Sequence, residues 1–260
     1  MNRIQKLFRQ KNSDILSVFF TAGYPTLNST SEIAVALEAA GADLIEIGIP
    51  FSDPVADGPV IQASNKVALD NGMTVELLLQ QEAAIRKSVK LPIILMGYVN
   101  PVLQYGFERF CADAARAGAD GLILPDLPLD VFEEQYRSAA DQAGLLNIFL
   151  ISPTTSADRI SRIDAAGSGF IYAVSASSTT GARKGFGQDQ LDYFARLRDL
   201  KLRNPLLIGF GISDHQTFSA ACSYAAGAIV GSAFITMLGQ SKDIPKDVRA
   251  FVSNLRSAQG

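Results

Sequence analysis

The chain has 260 residues, 48% of them hydrophobic and 19% charged, with 23 Lys and Arg against 26 Asp and Glu for a formal charge of −3. That is a globular composition, long enough for one large α/β barrel or two small domains, and it excludes a disordered protein. No basic block exceeds Arg183-Lys184 and no apolar run reaches bilayer length, so neither nucleic acid nor membrane is expected as a partner.

Residues 1–11 read as a short amphipathic helix with Ile4, Leu7 and Phe8 on one face. This start lacks the apolar core of a signal peptide, so a soluble cytoplasmic chain is expected. A strand at 15–21 closes in Ala22-Gly23-Tyr24-Pro25, and a helix from Ser29 or Ser31 stops at Gly41. A second strand, 43–48, runs into an acidic loop. Pro59 suits the first turn of a helix ending near Asn71, and Thr74 starts another that ends near Lys90. Strands then fall at 91–97, 120–124, 145–151, 169–174, 205–208 and 228–230. Helices fall between them at 107–116, 131–142, 157–166, 191–202 and 216–222, with a last one at 247–255.

These eight strands are apolar on both alternations, which means burial on both faces and parallel pairing. Strict β-α alternation at this length gives a (β/α)8 TIM barrel or a doubly wound sheet. A degenerate repeat favours the barrel. Ala40-Gly41-Ala42-Asp43, Ala117-Gly118-Ala119-Asp120, Ala166-Gly167-Ser168-Gly169 and Ala226-Gly227-Ala228 precede the even-numbered strands. Each Gly is expected to end its helix in the left-handed region. No linker is visible, so residues 1–260 read as one barrel domain with a short N-terminal helix.

In such a barrel the chemistry lies at the carboxyl ends of the strands. The stretch Leu44-Ile45-Glu46-Ile47-Gly48 places one carboxylate, Glu46, inside an apolar strand, and the loop after it carries Asp53 and Asp57. A buried carboxylate costs free energy unless it is paired or used. Other tools are scarce. The one His, His215, falls in a helix as a solvent-side or capping residue. Cys111 and Cys222 read as free thiols in separate helices, and no Lys falls in a strand. Metal ligation by His, a Schiff base and a Ser-His triad are therefore disfavoured, and proton transfer by carboxylates remains.

Gly209-Phe210-Gly211-Ile212-Ser213 and Gly231-Ser232 end the last two strands. Amides at such turns bind a dianion without Lys or Arg, at the usual phosphate position of the fold. Phe19, Met96, Tyr98, Leu124, Leu150 and Phe210 line the same end, as core or as a floor for a flat aromatic substrate. Residues 175–188, rich in Ser, Thr and Gly, are too long for a plain connection and suit a lid.

The run from Glu46 through Gly48-Ile49-Pro50-Phe51-Ser52-Asp53-Pro54-Val55-Ala56-Asp57-Gly58-Pro59 resembles the signature of the tryptophan synthase alpha subunits. The resemblance extends over the whole chain, through 19–25, 96–100, the lid and both glycine turns. It implies retro-aldol cleavage of indole-3-glycerol phosphate to indole and glyceraldehyde 3-phosphate. It also implies that Glu46 shuttles protons and that Asp57, ionised, holds the indole N–H. Tyr172 would orient substrate, and Thr180 would hold Asp57 when the lid closes. Phosphate would sit on Gly181, Gly211, Gly231 and Ser232. No cofactor is implied for this chain. A beta subunit carrying pyridoxal phosphate would receive the indole in an α2β2 complex, with Asp53 at the interface.

The chain departs from the family pattern at Ala176, Ser178 and Thr179 in the lid, and at Tyr24 where many members carry Asp. The lid changes motivate an alternative, a mainly regulatory subunit that binds ligand and activates a beta partner. A third reading, another phosphate-binding barrel enzyme such as an isomerase, lacks the Pro-Phe-Ser-Asp-Pro loop.

Overall fold

The computed structural model describes residues 1–175 and 185–257. Its strands are β1 Ile15–Thr21, β2 Leu44–Gly48, β3 Ile93–Met96, β4 Gly121–Ile123, β5 in two pieces (Leu146–Asn147 and Leu150–Ile151), β6 Ile171–Val174, β7 Leu206–Gly209 and β8 Gly227–Val230. Every pairing is parallel. β1 lies between β2 and β8, and each later strand follows its neighbour in order. The first piece of β5 pairs with β4 and the second with β6. Both ends of the hydrogen-bonded series thus belong to one strand, and the sheet is a closed TIM barrel.

The single strand expected at 145–151 is therefore split. Ile148 N–H donates to Leu122 O at 2.9 Å, and Tyr172 N–H donates to Phe149 O at 3.0 Å. The chain leaves one ladder and joins the next at this point, as the stagger of a closed barrel requires.

The helices are α1 Arg3–Gln10, α2 Ser29–Ala40, α3 Pro59–Asp70, α4 Val75–Ile85, α5 Val99–Tyr105, α6 Phe107–Ala117, α7 (Leu129–Val131, a π-turn Phe132–Tyr136, and Arg137–Ala143), α8 Ala157–Ala166, α9 Gln188–Asp199, α10 His215–Cys222, α11 Ser232–Gln240 and α12 Ile244–Arg256. Two of these, α5 and α11, have no counterpart among the helices bounded from the sequence. Pro101 falls in the first turn of α5, where its missing N–H is not needed.

Alternation along the strands makes two cores. Ile15, Leu44, Ile94, Ile123, Ile148, Phe170, Tyr172, Leu207 and Ile229 point into the barrel. Leu16, Val18, Ile45, Ile47 and Leu95 point out against the helices. The floor is plugged by α1, whose Ile4 is fully buried in the inner cluster. Asn2 caps α1 and fastens it by donating from Nδ2 to Asp120 O at 2.7 Å.

Asp43 and Asp120, the repeat aspartates, clamp this floor. Asp43 accepts from Lys11 Nζ at 2.8 Å, Arg256 Nη2 at 2.7 Å and Leu16 N–H at 2.9 Å. Asp120 accepts from Arg3 at 3.0 Å, Arg86 at 3.2 Å and Ile93 N–H at 3.0 Å. Each carboxylate thus holds the strand before its own. The repeat glycines do not all behave as expected. Gly41 and Gly118 end helices at φ 92° and 113°, but Gly167 is extended at φ −76°. Gly227 lies inside β8, where a Cβ would run into the carbonyl of Ile15. The need there is closeness of two strands, not a left-handed turn.

Candidate active site at the carboxyl ends of the strands

Glu46 sits in the middle of β2 and its side chain is fully buried inside the barrel. Ser17 Oγ on β1 donates to Glu46 Oε1 at 2.7 Å, while Oε2 has no hydrogen-bond partner among the described residues. Burial pushes the carboxyl up to about 7, and the Ser17 hydroxyl acts in the opposite direction. The group is therefore poised near neutrality, as a proton shuttle requires.

Asp57 stands above it in the loop after β2, half-buried. The loop is braced by its own backbone, with Asp57 N–H donating to Pro54 O at 3.0 Å, and by α3, where Gln62 Nε2 donates to Asp57 O at 2.8 Å. Tyr98, which immediately precedes α5, receives Ala56 N–H at 2.9 Å and donates its hydroxyl to Asp57 Oδ2 at 3.3 Å. Burial lifts Asp57 as well, to about 6, with the Tyr98 hydroxyl pulling it down. The sequence pattern offered no reason to expect this second shift. At pH 7 Asp57 still stays mainly ionised. Tyr98 also stacks on Phe51, with ring centroids 5.2 Å apart.

Tyr172 on β6 completes the centre. Its phenol is pushed well up, first by burial and then by the charges of Glu46 and Asp57, so the three groups share one field. Tyr172 lies across Gly209, where an added Cβ would stand 2.5 Å from its ring. The Phe210 ring is 6.4 Å from that of Tyr172. The Phe19 ring covers Gly48 and Gly231, at 2.7 and 3.5 Å from where their Cβ atoms would be. Phe19, Glu46, Asp57, Tyr98, Tyr172 and Phe210 thus all lie at the carboxyl end of the barrel. Asp53 is exposed, and its carboxylate accepts a hydrogen bond from Ser52 Oγ.

The two glycine turns look alike in sequence and differ in structure. After β7, Phe210 and Gly211 are both left-handed, at φ 69° and 78°, and Ser175 Oγ donates to Phe210 O at 2.6 Å. The following α10 is capped by Asp214, which accepts Thr217 N–H at 2.8 Å, and Ser213 N–H is taken by Thr217 Oγ1. After β8, Gly231 opens α11 with no side-chain cap. The first-turn amides of α11, beginning at Ser232, therefore stay open to an anion. Tyr24 supports this helix from outside, its hydroxyl filling the space where Gly239 would carry a Cβ.

Thr180 and Gly181, with the lid departures Ala176, Ser178 and Thr179, lie outside the described residues. Two residues of the site escaped the sequence reading. Ser17 was one polar residue in an apolar run, and Gly209 was counted only as part of a turn. Among the described residues no three His, Cys, Asp or Glu side chains group as metal ligands, and no helix is long and apolar enough to cross a membrane.

The family model for the tryptophan synthase alpha chain matches residues 5–259. The chain belongs to the tryptophan synthase alpha chain family. The alpha chain of Flavobacterium johnsoniae is 54% identical over 257 residues, covering 98% of this chain and 100% of that one. The alpha chain of Christiangramia forsetii is 52% identical over 258 residues, covering 99% of each. Among solved structures, the tryptophan synthase alpha chain of Legionella pneumophila superposes with a TM-score of 0.88 at 34% identity, over 98% of this chain and 96% of that one. Tryptophan synthase of M. tuberculosis in its aminoacrylate-bound form gives 0.86 at 31% identity, over 98% of each chain. As an alpha chain, it is a lyase subunit of tryptophan biosynthesis whose family pairs with a beta subunit.

Proposed function

We propose that this chain cleaves indole-3-glycerol phosphate to indole and D-glyceraldehyde 3-phosphate, with Glu46 and Asp57 as its catalytic residues. The observation that carries the assignment of roles is the buried Glu46 carboxylate, one oxygen held by Ser17 and the other without a partner among the described residues. Neutral Glu46 donates its proton to indole C3. The bond between C3 and the glycerol chain then breaks, its electrons returning to the ring. The carboxylate so formed takes the proton of the glycerol hydroxyl as the aldehyde forms, which restores neutral Glu46. Asp57 accepts the indole N–H and stabilises the positive charge that builds on the ring.

Phe19, Tyr98, Tyr172 and Phe210 would hold the indole and its tail. Gly211, Gly231 and Ser232 would hold the phosphate, the open end of α11 supporting Gly231 and Ser232 most directly. Thr180 and Gly181 keep the lid roles that the resemblance implies. The chain works as one barrel domain without a cofactor of its own, in the cytoplasm. It docks through the Asp53 loop on a pyridoxal-phosphate beta subunit in an α2β2 complex. Steady-state indole release from indole-3-glycerol phosphate, with and without a beta subunit, tests this. Turnover by the alpha chain that rises with the partner is expected. No indole under either condition overturns the assignment.

A further inference from the structure

We propose that Ser17 is a positioning residue for Glu46, fixing which carboxyl oxygen carries the transferred proton. The inference rests on the lyase reading above. Ser17 and Phe19 are alternate residues on one face of β1. Phe19 is in register with Glu46, and Ser17 with Leu44. Ser17 is thus the diagonal neighbour of Glu46, one pleat deeper in the barrel.

Its surroundings give the hydroxyl no other purpose. On the β8 side it is in register with Ile229, and Ile15 is the next residue on its own face. Both Ser17 and Glu46 are fully buried, and the only hydrogen bond recorded for the Ser17 hydroxyl among the described residues runs to Glu46 Oε1 at 2.7 Å. An oxygen that accepts this bond is the carbonyl oxygen of the neutral acid. The acidic proton therefore sits on Oε2, the oxygen with no partner among the described residues. Both transfers, to indole C3 and from the glycerol hydroxyl, then pass through one atom.

Among the described residues, Tyr172 from β6 is the titratable group that shares a field with Glu46, and Asp57 from the loop after β2 acts on the same phenol. β1 and β3 bring only Ser17, Phe19, Ile94 and Met96 to its level. Among the described residues, Ser17 is the one donor hydrogen-bonded to the Glu46 carboxyl, and it works against the upward push of burial.

Ser17→Ala tests the assignment, with Ser17→Thr as the variant that keeps the hydroxyl. Three readouts on the full chain separate positioning from packing. The first is the titration of the Glu46 carboxyl by 13C NMR, which needs no turnover. In Ser17→Ala the titration is expected to rise by about one pH unit, the scale of a hydrogen bond to a charged group. The second is the pH profile of kcat/KM, whose alkaline limb should move by the same amount. The third is the division between kcat and KM. A loss of about tenfold is expected in kcat, with KM held within about threefold. Ser17→Thr should restore all three. An unmoved Glu46 titration, or a loss confined to KM, overturns the role of Ser17. A wild-type chain that releases no indole while Ser17→Ala still moves the Glu46 titration overturns the lyase reading alone.

Discussion

Replacing Glu46 by Gln separates the catalytic cost of this carboxylate from its folding cost. The side chain is fully buried, and burial carries its carboxyl from an ordinary 4.5 to about 7. At ~1.4 kcal/mol per pH unit, that difference is worth about 3 kcal/mol. The sign follows from the direction. The folded state holds the proton more tightly than the unfolded chain, so the penalty is absent below about 4.5. It grows as pH rises and is complete above about 7. Glu46→Gln carries no such penalty. Its stability relative to the wild type should therefore climb by about 3 kcal/mol between pH 4.5 and pH 8. The new amide adds a roughly constant offset of about 1–3 kcal/mol for a buried donor left unpaired. Denaturant unfolding of both proteins at a series of pH values measures the slope. Indole release by the variant should fall below detection at every pH, with ligand binding retained. A stability difference that is flat with pH would refute the argument from burial, and retained turnover would refute the role of Glu46 in proton transfer.

Other expectations rest on separate observations. Asp57 must be ionised and Glu46 neutral at the start of the cycle, so kcat/KM should trace a narrow bell with limbs near 6 and 7. Asp57→Asn should erase the acid limb and lower kcat by roughly 100- to 1,000-fold, as measured by initial rates across pH. Gly209→Ala would place a methyl on the Tyr172 ring, costing about 1–3 kcal/mol in denaturant unfolding and reducing kcat by moving the phenol. Glu82 on α4 is fully buried with neither oxygen bonded among the described residues, and burial lifts it to about 8 against the pull of Arg86. Its penalty is absent below about 4.5 and complete above about 8. Glu82→Gln should accordingly gain stability as pH rises, on the order of 2–4 kcal/mol at pH 8 by thermal unfolding.

Much of this molecule is written in local pattern. Strands buried on both faces leave unbroken apolar runs, and Gly41 and Gly118 mark helix ends that the backbone can reach only in the left-handed region. Glu46 was legible because a carboxylate in such a run conflicts with its surroundings. Where local and long-range demands part company, the pattern fails. Gly167 and Gly227 share the repeat but answer to an extended connection and to the closeness of β1 and β8. The break in β5 reflects the stagger of the whole ring, which no window of sequence contains. The sequence marks no end for α11 beyond its start at Gly231-Ser232, and the 7 residues of α5 are too few for a period to show. Ser17 depends on register, since only the pairing of Phe19 with Glu46 brings its hydroxyl to the carboxylate. The upward shift of Asp57 depends on how far the loop folds down over the barrel mouth, which its composition does not state.

The divided fifth strand also has a mechanical meaning. A ring of hydrogen bonds has no free end, so it yields first where its links are shortest. β5 grips β4 through Leu146, Asn147 and the Ile148 amide, and β6 through the Phe149 carbonyl, Leu150 and Ile151. Across the ring, β1 and β2 are joined along Ser17–Thr21 and Leu44–Gly48. Thermal breathing should therefore concentrate at β5, where amides exchange with solvent soonest. The wall bearing Ser17 and Glu46 lies on the far side of the cylinder. Loosening at β5 should therefore leave the 2.7 Å contact between Ser17 and Glu46 undisturbed.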